Sequence, residues 1–303
     1  MIRHPYSLPV ILLLLLVAVT LPAQQSGSAP SRAEQVMKAI AQAYPDRVSH
    51  AEFRNGDWAV LLGGKWYYYA EGRLLPEEIR HRVAEYTSYT FYNYVVELPP
   101  WTTPSAEENA RMRETMRGIE EWEQLPIQRS NHFFDALWRI TNRDESWDRV
   151  KTIRFLGHTV MMHYSILEEL SLVEERILVL ARTNSAVRQW IDSLGTVEGW
   201  SWRNISASQS RSFHSYGAAI DLLPRNLGGL ATYWQWTAQV TPEWWTVPYS
   251  RRYHPPLEVI KIFESFGFAW GGKWMVYDTM HFEYRPEILI LSGIPLIDQR
   301  TLF

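Results

Sequence analysis

The run Ala218-Ala219-Ile220-Asp221-Leu222-Leu223 reads as a β-strand, opened by Gly217 and ended by Pro224. It carries one carboxylate, Asp221, among apolar neighbours. Burying a lone carboxylate is expensive unless it is paired or bound to a metal. There is no cysteine, which excludes disulfides, thiolate metal ligands, cysteine nucleophiles and a bacterial lipoprotein anchor. A single buried histidine is more often a hydrogen-bonded core residue than a ligand. His214 lies in a Ser-rich segment just before the strand, and His281, between Met280 and Phe282, sits in a second strand-like apolar setting.

At 303 residues and 46% hydrophobic content, the chain can build one large domain or two modest ones with proper cores. A net charge of -3 gives no electrostatic footprint for nucleic acid. The many Trp and Tyr residues either line a glycan- or peptide-binding groove or, as is commoner, pack the core. The N-terminus reads as an export signal, with Arg3, an apolar run from Val10 to Val19, and Thr20-Leu21-Pro22-Ala23 before Gln24. Leu21 suits the cleavage site poorly, so an uncleaved anchor is the other reading. Either way the folded part is expected outside the cytoplasm, periplasmic or secreted, with membrane contact only through an uncleaved signal.

Residues 1–23 are thus expected as a signal peptide. Residues 24–130 are expected as a small α+β unit and connector, and 131–303 as the domain that carries the chemistry. Ser31, with Glu34 three residues on, opens a helix in capping-box fashion, followed by Val36, Ile40 and Ala43. Asp57 to Leu62 and Lys65 to Tyr69 read as strands joined by a Gly63-Gly64 turn. Residues 99–131 suggest a connector with some solvated helix. A helix is expected from Asn131 to Thr141, and two or three helices from Trp147 to Leu194, judged from Ile153, Val160, Ile166, Leu170, Val173 and Ile177.

Two imidazoles and one carboxylate are a common catalytic zinc set, with water as the fourth ligand. Zinc lowers the pKa of that water to about 7, and a base must then take its proton. Asp278, three residues before His281, is near enough in sequence to serve, or is a turn residue. Glu283 is either an outer partner of His281 or a solvated charge.

Ser212, His214, Gly217, Ala219 and Asp221, followed later by Asp278, His281 and Phe282 with Trp274 nearby, resemble the two-part signature of the M15 family of peptidoglycan peptidases. The resemblance covers roughly residues 180–290. It implies an α+β, hedgehog/DD-peptidase-like fold, a small antiparallel sheet with helices. It also implies Zn2+ held by His214, Asp221 and His281, and Asp278 as general base. The implied substrate is a peptidoglycan stem peptide, cut as a D-Ala-D-Ala carboxypeptidase or an L-Ala-D-Glu endopeptidase. The family's upstream Arg corresponds best to Arg203, as a substrate- and oxyanion-binding residue, with Arg211 a weaker competitor. Ser212 either binds substrate or satisfies a turn. The rival class is a catalytically inactive wall- or partner-binding protein that keeps the zinc site. Such a protein is expected to have lost Asp278 or a ligand, and all four are present.

His158 and His163 lack the H-E-x-x-H arrangement of another zinc peptidase class and read as helix residues. His254 belongs to a loop. The absence of G-x-S-x-G removes a serine-hydrolase elbow. The cluster Trp234, Trp236, Trp244 and Trp245 either lines a groove over the zinc or forms a packed insertion.

Overall fold

Ser31 accepts a hydrogen bond from the Glu34 N–H at 3.1 Å and so caps the first helix, α1 (Arg32–Ala43). The computed structural model describes residues 29–89, 91, 94–123, 129–205 and 210–297, so the expected signal peptide lies outside the described residues. After α1 comes a four-stranded antiparallel sheet, ordered β1 (Val48–Arg54), β2 (Asp57–Leu62), β3 (Lys65–Tyr68) and β4 (Leu75–Pro76). Gly63 and Gly64 both have positive φ, 58° and 81°, as a two-residue hairpin turn demands. The connector contains α2 (Ala106–Glu123). Ser105 and Glu108 cap it reciprocally through side chain and backbone. The helix is less solvated than expected, because Met112, Met116 and Ile119 pack onto Trp234, Trp244, Trp245 and Tyr277.

α3 (His132–Trp138) and α4 (Arg143–Trp147) follow. The helices expected from residue 147 onward are corrected at their start. Residues Val150–Phe155 (β5) and His158–His163 (β6) form an antiparallel hairpin, so Ile153, Val160, His158 and His163 lie on strands. The turn uses Leu156 at φ 46° and Gly157 at φ 84°. A leucine in the left-handed region is rare, and without an Asn-Gly or Gly-Gly pair the turn left no recognisable signal. Two helices then occur as expected, α5 (Leu167–Ala181) and α6 (Ser185–Ser193).

The remaining strands are β7 (Leu194–Glu198), β8 (Ala219–Pro224), β9 (Phe268–Trp270) and β10 (His281–Tyr284), in one antiparallel sheet ordered β7-β8-β10-β9. α7 (Trp234–Ala238), α8 (Leu257–Ser265) and α9 (Pro286–Leu291) complete the elements. The mixed α+β character with small antiparallel sheets is as expected. Along β8 and β10 the side chains alternate. Ile220, Leu222 and Phe282 enter the core, where Phe282 stacks on Phe263 of α8 at 4.1 Å. Asp221, His281 and Glu283 occupy the other face. One apolar core joins Val36, Met37 and Ile40 of α1 with Phe133, Leu170, Ile220 and Phe282. It bridges the boundary expected near residue 130, and residues Ser31–Phe303 group as one compact unit. Among the described residues, no helix is long and apolar enough to cross a membrane.

Candidate metal centre

Strand register sets the first two groups of the site. His281 of β10 pairs directly with Asp221 of β8, so their side chains project side by side from one face of the sheet. The third comes from a tight helical turn, Phe213–Tyr216, immediately before β8. Ser212 caps this turn by accepting from the His214 N–H at 3.3 Å. This is one of the two roles expected of it. Gly217 ends the turn at φ 66°, and a Cβ there would come within 2.8 Å of the His163 backbone nitrogen. Only glycine meets both conditions.

The three donors converge. His281 Nδ1 lies 2.8 Å from Asp221 Oδ1, His214 Nε2 lies 3.3 Å from the same oxygen, and the two ring nitrogens are 3.2 Å apart. Tetrahedral zinc with bonds of about 2.0–2.2 Å spaces neighbouring ligand atoms roughly 3.3–3.6 Å apart. The observed spacings agree to about half an ångström. All three residues are buried, and together they could hold a metal ion.

The far sides of both rings are also occupied. His214 Nδ1 donates to the Gly199 carbonyl at 2.5 Å, and His281 Nε2 donates to Glu283 Oε2 at 3.3 Å. Each ring then turns its other nitrogen toward the centre, and a metal bound there would take both nitrogens unprotonated. Burial alone would lower the His281 pKa, but its hydrogen bonds to Asp221 and Glu283 outweigh that and raise it to about 10. Residue 199 can sit here because glycine has no Cβ, which would come within 2.3 Å of the Met161 carbonyl. Sequence reasoning did not find this carbonyl acceptor, because a main-chain group has no residue signature. Glu283 is buried, which decides between its two expected roles in favour of the outer partner.

Electrostatics follow the same geometry. Burial alone would raise the Asp221 pKa, but His214 and His281 outweigh it and hold the carboxyl well below the usual range. Asp278 moves the opposite way. Burial pushes it up to about 7, and the Asp221 charge adds to the rise against the pull of His281 and Arg203. Its Oδ1 is buried without a hydrogen-bond partner among the described residues. A buried carboxylate oxygen without a partner, close enough to His281 to feel its charge, is an acceptor left open at the site.

Arg203 places Nη2 3.8 Å from Asp221 Oδ2, with its side chain 43% exposed. Arg211 is turned away. It pairs with Asp135 and with the Thr141 carbonyl and lies over Trp202, so the structure removes it as a competitor. The Trp274 ring lies 5.4 Å from the His281 ring. In the Trp cluster, Trp244 is 1% exposed and Trp236 51%. Most of the cluster is therefore packing, against α2. His163 is no ligand: its Nε2 donates to the Trp138 carbonyl at 2.9 Å and its Nδ1 accepts from Ser165.

Residues 206–284 match a family model described as D-alanyl-D-alanine carboxypeptidase. The match supports an M15-family peptidase. The M15 segment contains His214, Asp221, Asp278 and His281, while Arg203 lies just ahead of it. Residues 36–91 match a family described only as a domain of unknown function. No curated protein and no solved structure matches the chain.

Proposed function

We propose that this M15-type protein is a zinc-dependent peptidase of peptidoglycan stem peptides, acting as a D-Ala-D-Ala carboxypeptidase or an L-Ala-D-Glu endopeptidase. One observation carries the reading: His214 Nε2, His281 Nδ1 and Asp221 Oδ1 converge within 3.3 Å of one another while both outer ring nitrogens are tied back. The donor set, two imidazoles and one carboxylate without thiolates, suits zinc with a position left for water or substrate. When bound, zinc supplies a Lewis acid for the scissile carbonyl and makes a water acidic enough to attack near neutral pH.

The chain's own groups do the rest. His214, Asp221 and His281 would hold the ion, and the Gly199 carbonyl and Glu283 fix the two rings. Asp278 accepts the proton of the attacking water at its unpartnered oxygen and returns it to the leaving amine. Its burial, which disfavours the charged form, makes it a stronger base than an exposed aspartate. Arg203, half-exposed at the rim, faces the charge that develops on the carbonyl oxygen and binds the substrate. Ser212 is assigned to holding the His214 turn. Retention of Asp278 in this environment argues against an inactive binding protein. The protein is exported through residues 1–23 and works in the periplasm or outside the cell.

Digestion of purified peptidoglycan with and without a chelator tests the proposal, with products identified by mass spectrometry. Chelator-sensitive release of terminal D-Ala is the carboxypeptidase outcome, and a cut between L-Ala and D-Glu is the endopeptidase outcome. No product from a folded, zinc-loaded protein would overturn both.

A further inference from the structure

Behind His281 the polar groups do not end at Glu283. Glu283 Oε1 accepts from Arg285 Nη1 at 3.1 Å, Arg285 Nε donates to Glu287 Oε1, and Glu287 Oε2 accepts from the Tyr44 hydroxyl at 2.8 Å. His281, Glu283, Arg285, Glu287 and Tyr44 are all buried, none more than 7% exposed. The chain of bonds therefore runs from a metal-facing imidazole, through β10 and the start of α9, to the residue that directly follows α1. Tyr44 lies within the segment of unknown function, 36–91, far from the peptidase segment in sequence.

Stability alone does not explain such a network. Three charges taken out of water generally gain no more than well-packed apolar residues would. Position does explain it. A carboxylate on the outer nitrogen of a metal-binding histidine fixes the ring and its tautomer only if the carboxylate is itself held. Arg285 holds Glu283. The guanidinium is held in turn by Glu287 and by the rings of Phe134 and Phe213, 5.3 and 4.7 Å away, and Phe213 adjoins the second ligand, His214. Tyr44 satisfies the Glu287 oxygen that Arg285 leaves open.

We infer that Tyr44, Glu287 and Arg285 are positioning residues for the metal ligand His281, so that the N-terminal segment forms the outer wall of the metal site. This rests on the metal reading of His214, Asp221 and His281 proposed above. The test is the zinc dissociation constant of the full-length protein, measured by competition with a chromophoric chelator. Glu283→Gln and Glu287→Gln weaken zinc binding by about tenfold or more, and Tyr44→Phe by about threefold, with the fold intact by circular dichroism. Ile40→Val, a core change in α1 away from the network, leaves the constant within about twofold. Parental affinity in both Tyr44→Phe and Glu287→Gln would overturn the inference and end the network at Glu283. Equal weakening by Ile40→Val would also overturn it, by reducing the effect to general packing. A parent protein that binds no zinc would instead refute the metal reading itself, and this inference with it.

Discussion

Asp278 and His281 sit three positions apart, yet their substitutions separate cleanly in expectation. His281→Ala removes one of three donors and leaves Asp221 without its 2.8 Å partner. Zinc content measured by atomic absorption should fall to background. Asp278→Ala touches no donor, so zinc stays while turnover drops by about 10²–10⁴, the usual worth of a positioned acid-base group. Loss of zinc from this variant would reassign Asp278. Arg203→Ala should also keep zinc and lower kcat/KM by about 10²–10³, read by steady-state assay on a stem-peptide substrate. The sequence could single out His214, Asp221, His281 and Asp278 because the roles proposed for them each require a specific functional group. The Gly199 carbonyl was not visible, since every residue carries a main-chain carbonyl and no local pattern says which one will face His214. Tyr44, Arg285 and Glu287 were not singled out either. A weak signal did exist, because His281, Glu283, Arg285 and Glu287 alternate polar groups along and beyond an otherwise apolar strand.

Strand β6 carries a pH-dependent load. Its last residue, His163, is buried and pushed down to about 4, chiefly by burial. The Nδ1 that protonation would block is the one that accepts from the Ser165 N–H at 3.2 Å. The unfolded pKa is about 6.5, so the unfolded chain takes up the proton first. The stabilisation is complete above about pH 6.5 and is lost as pH falls toward 4. Between pH 7 and 5 this amounts to about 2 kcal/mol. Urea unfolding at the two pH values measures it, and His163→Gln should flatten that part of the profile. An unchanged slope in the variant would assign the dependence to other groups. At this scale, legibility followed turn chemistry. The β2–β3 hairpin was readable from Gly63-Gly64. The β5–β6 hairpin was read as helix, because Leu156 adopts a conformation that leucine seldom takes and tertiary packing sets it there. Ser31 and Glu34 marked α1 correctly because a cap is a local hydrogen bond.

At the scale of the molecule, α1 belongs to the same core as the sheet that carries the site. Val36, Met37 and Ile40 are at most 1% exposed there. Burying three such side chains contributes roughly 5–9 kcal/mol, comparable to the whole stability of an ordinary domain, about 5–15 kcal/mol. Residues 131–303 expressed alone are therefore expected to lose fixed tertiary structure, with weak near-UV circular dichroism and poor amide dispersion. A cooperative unfolding transition from that fragment would show that the peptidase part stands alone.

The sequence by itself determined the candidate chemistry of the site: which residues could ligate a metal and which could move a proton. Those properties are carried by functional groups, local turns and a two-residue period. Only the tertiary structure decided which groups back the two imidazoles, which arginine lies beside Asp221, and that the N-terminal segment shares the core and joins the buried polar network through Tyr44. Such contacts join residues as far apart as 44 and 287. They depend on where packed elements come to rest, which no local pattern encodes.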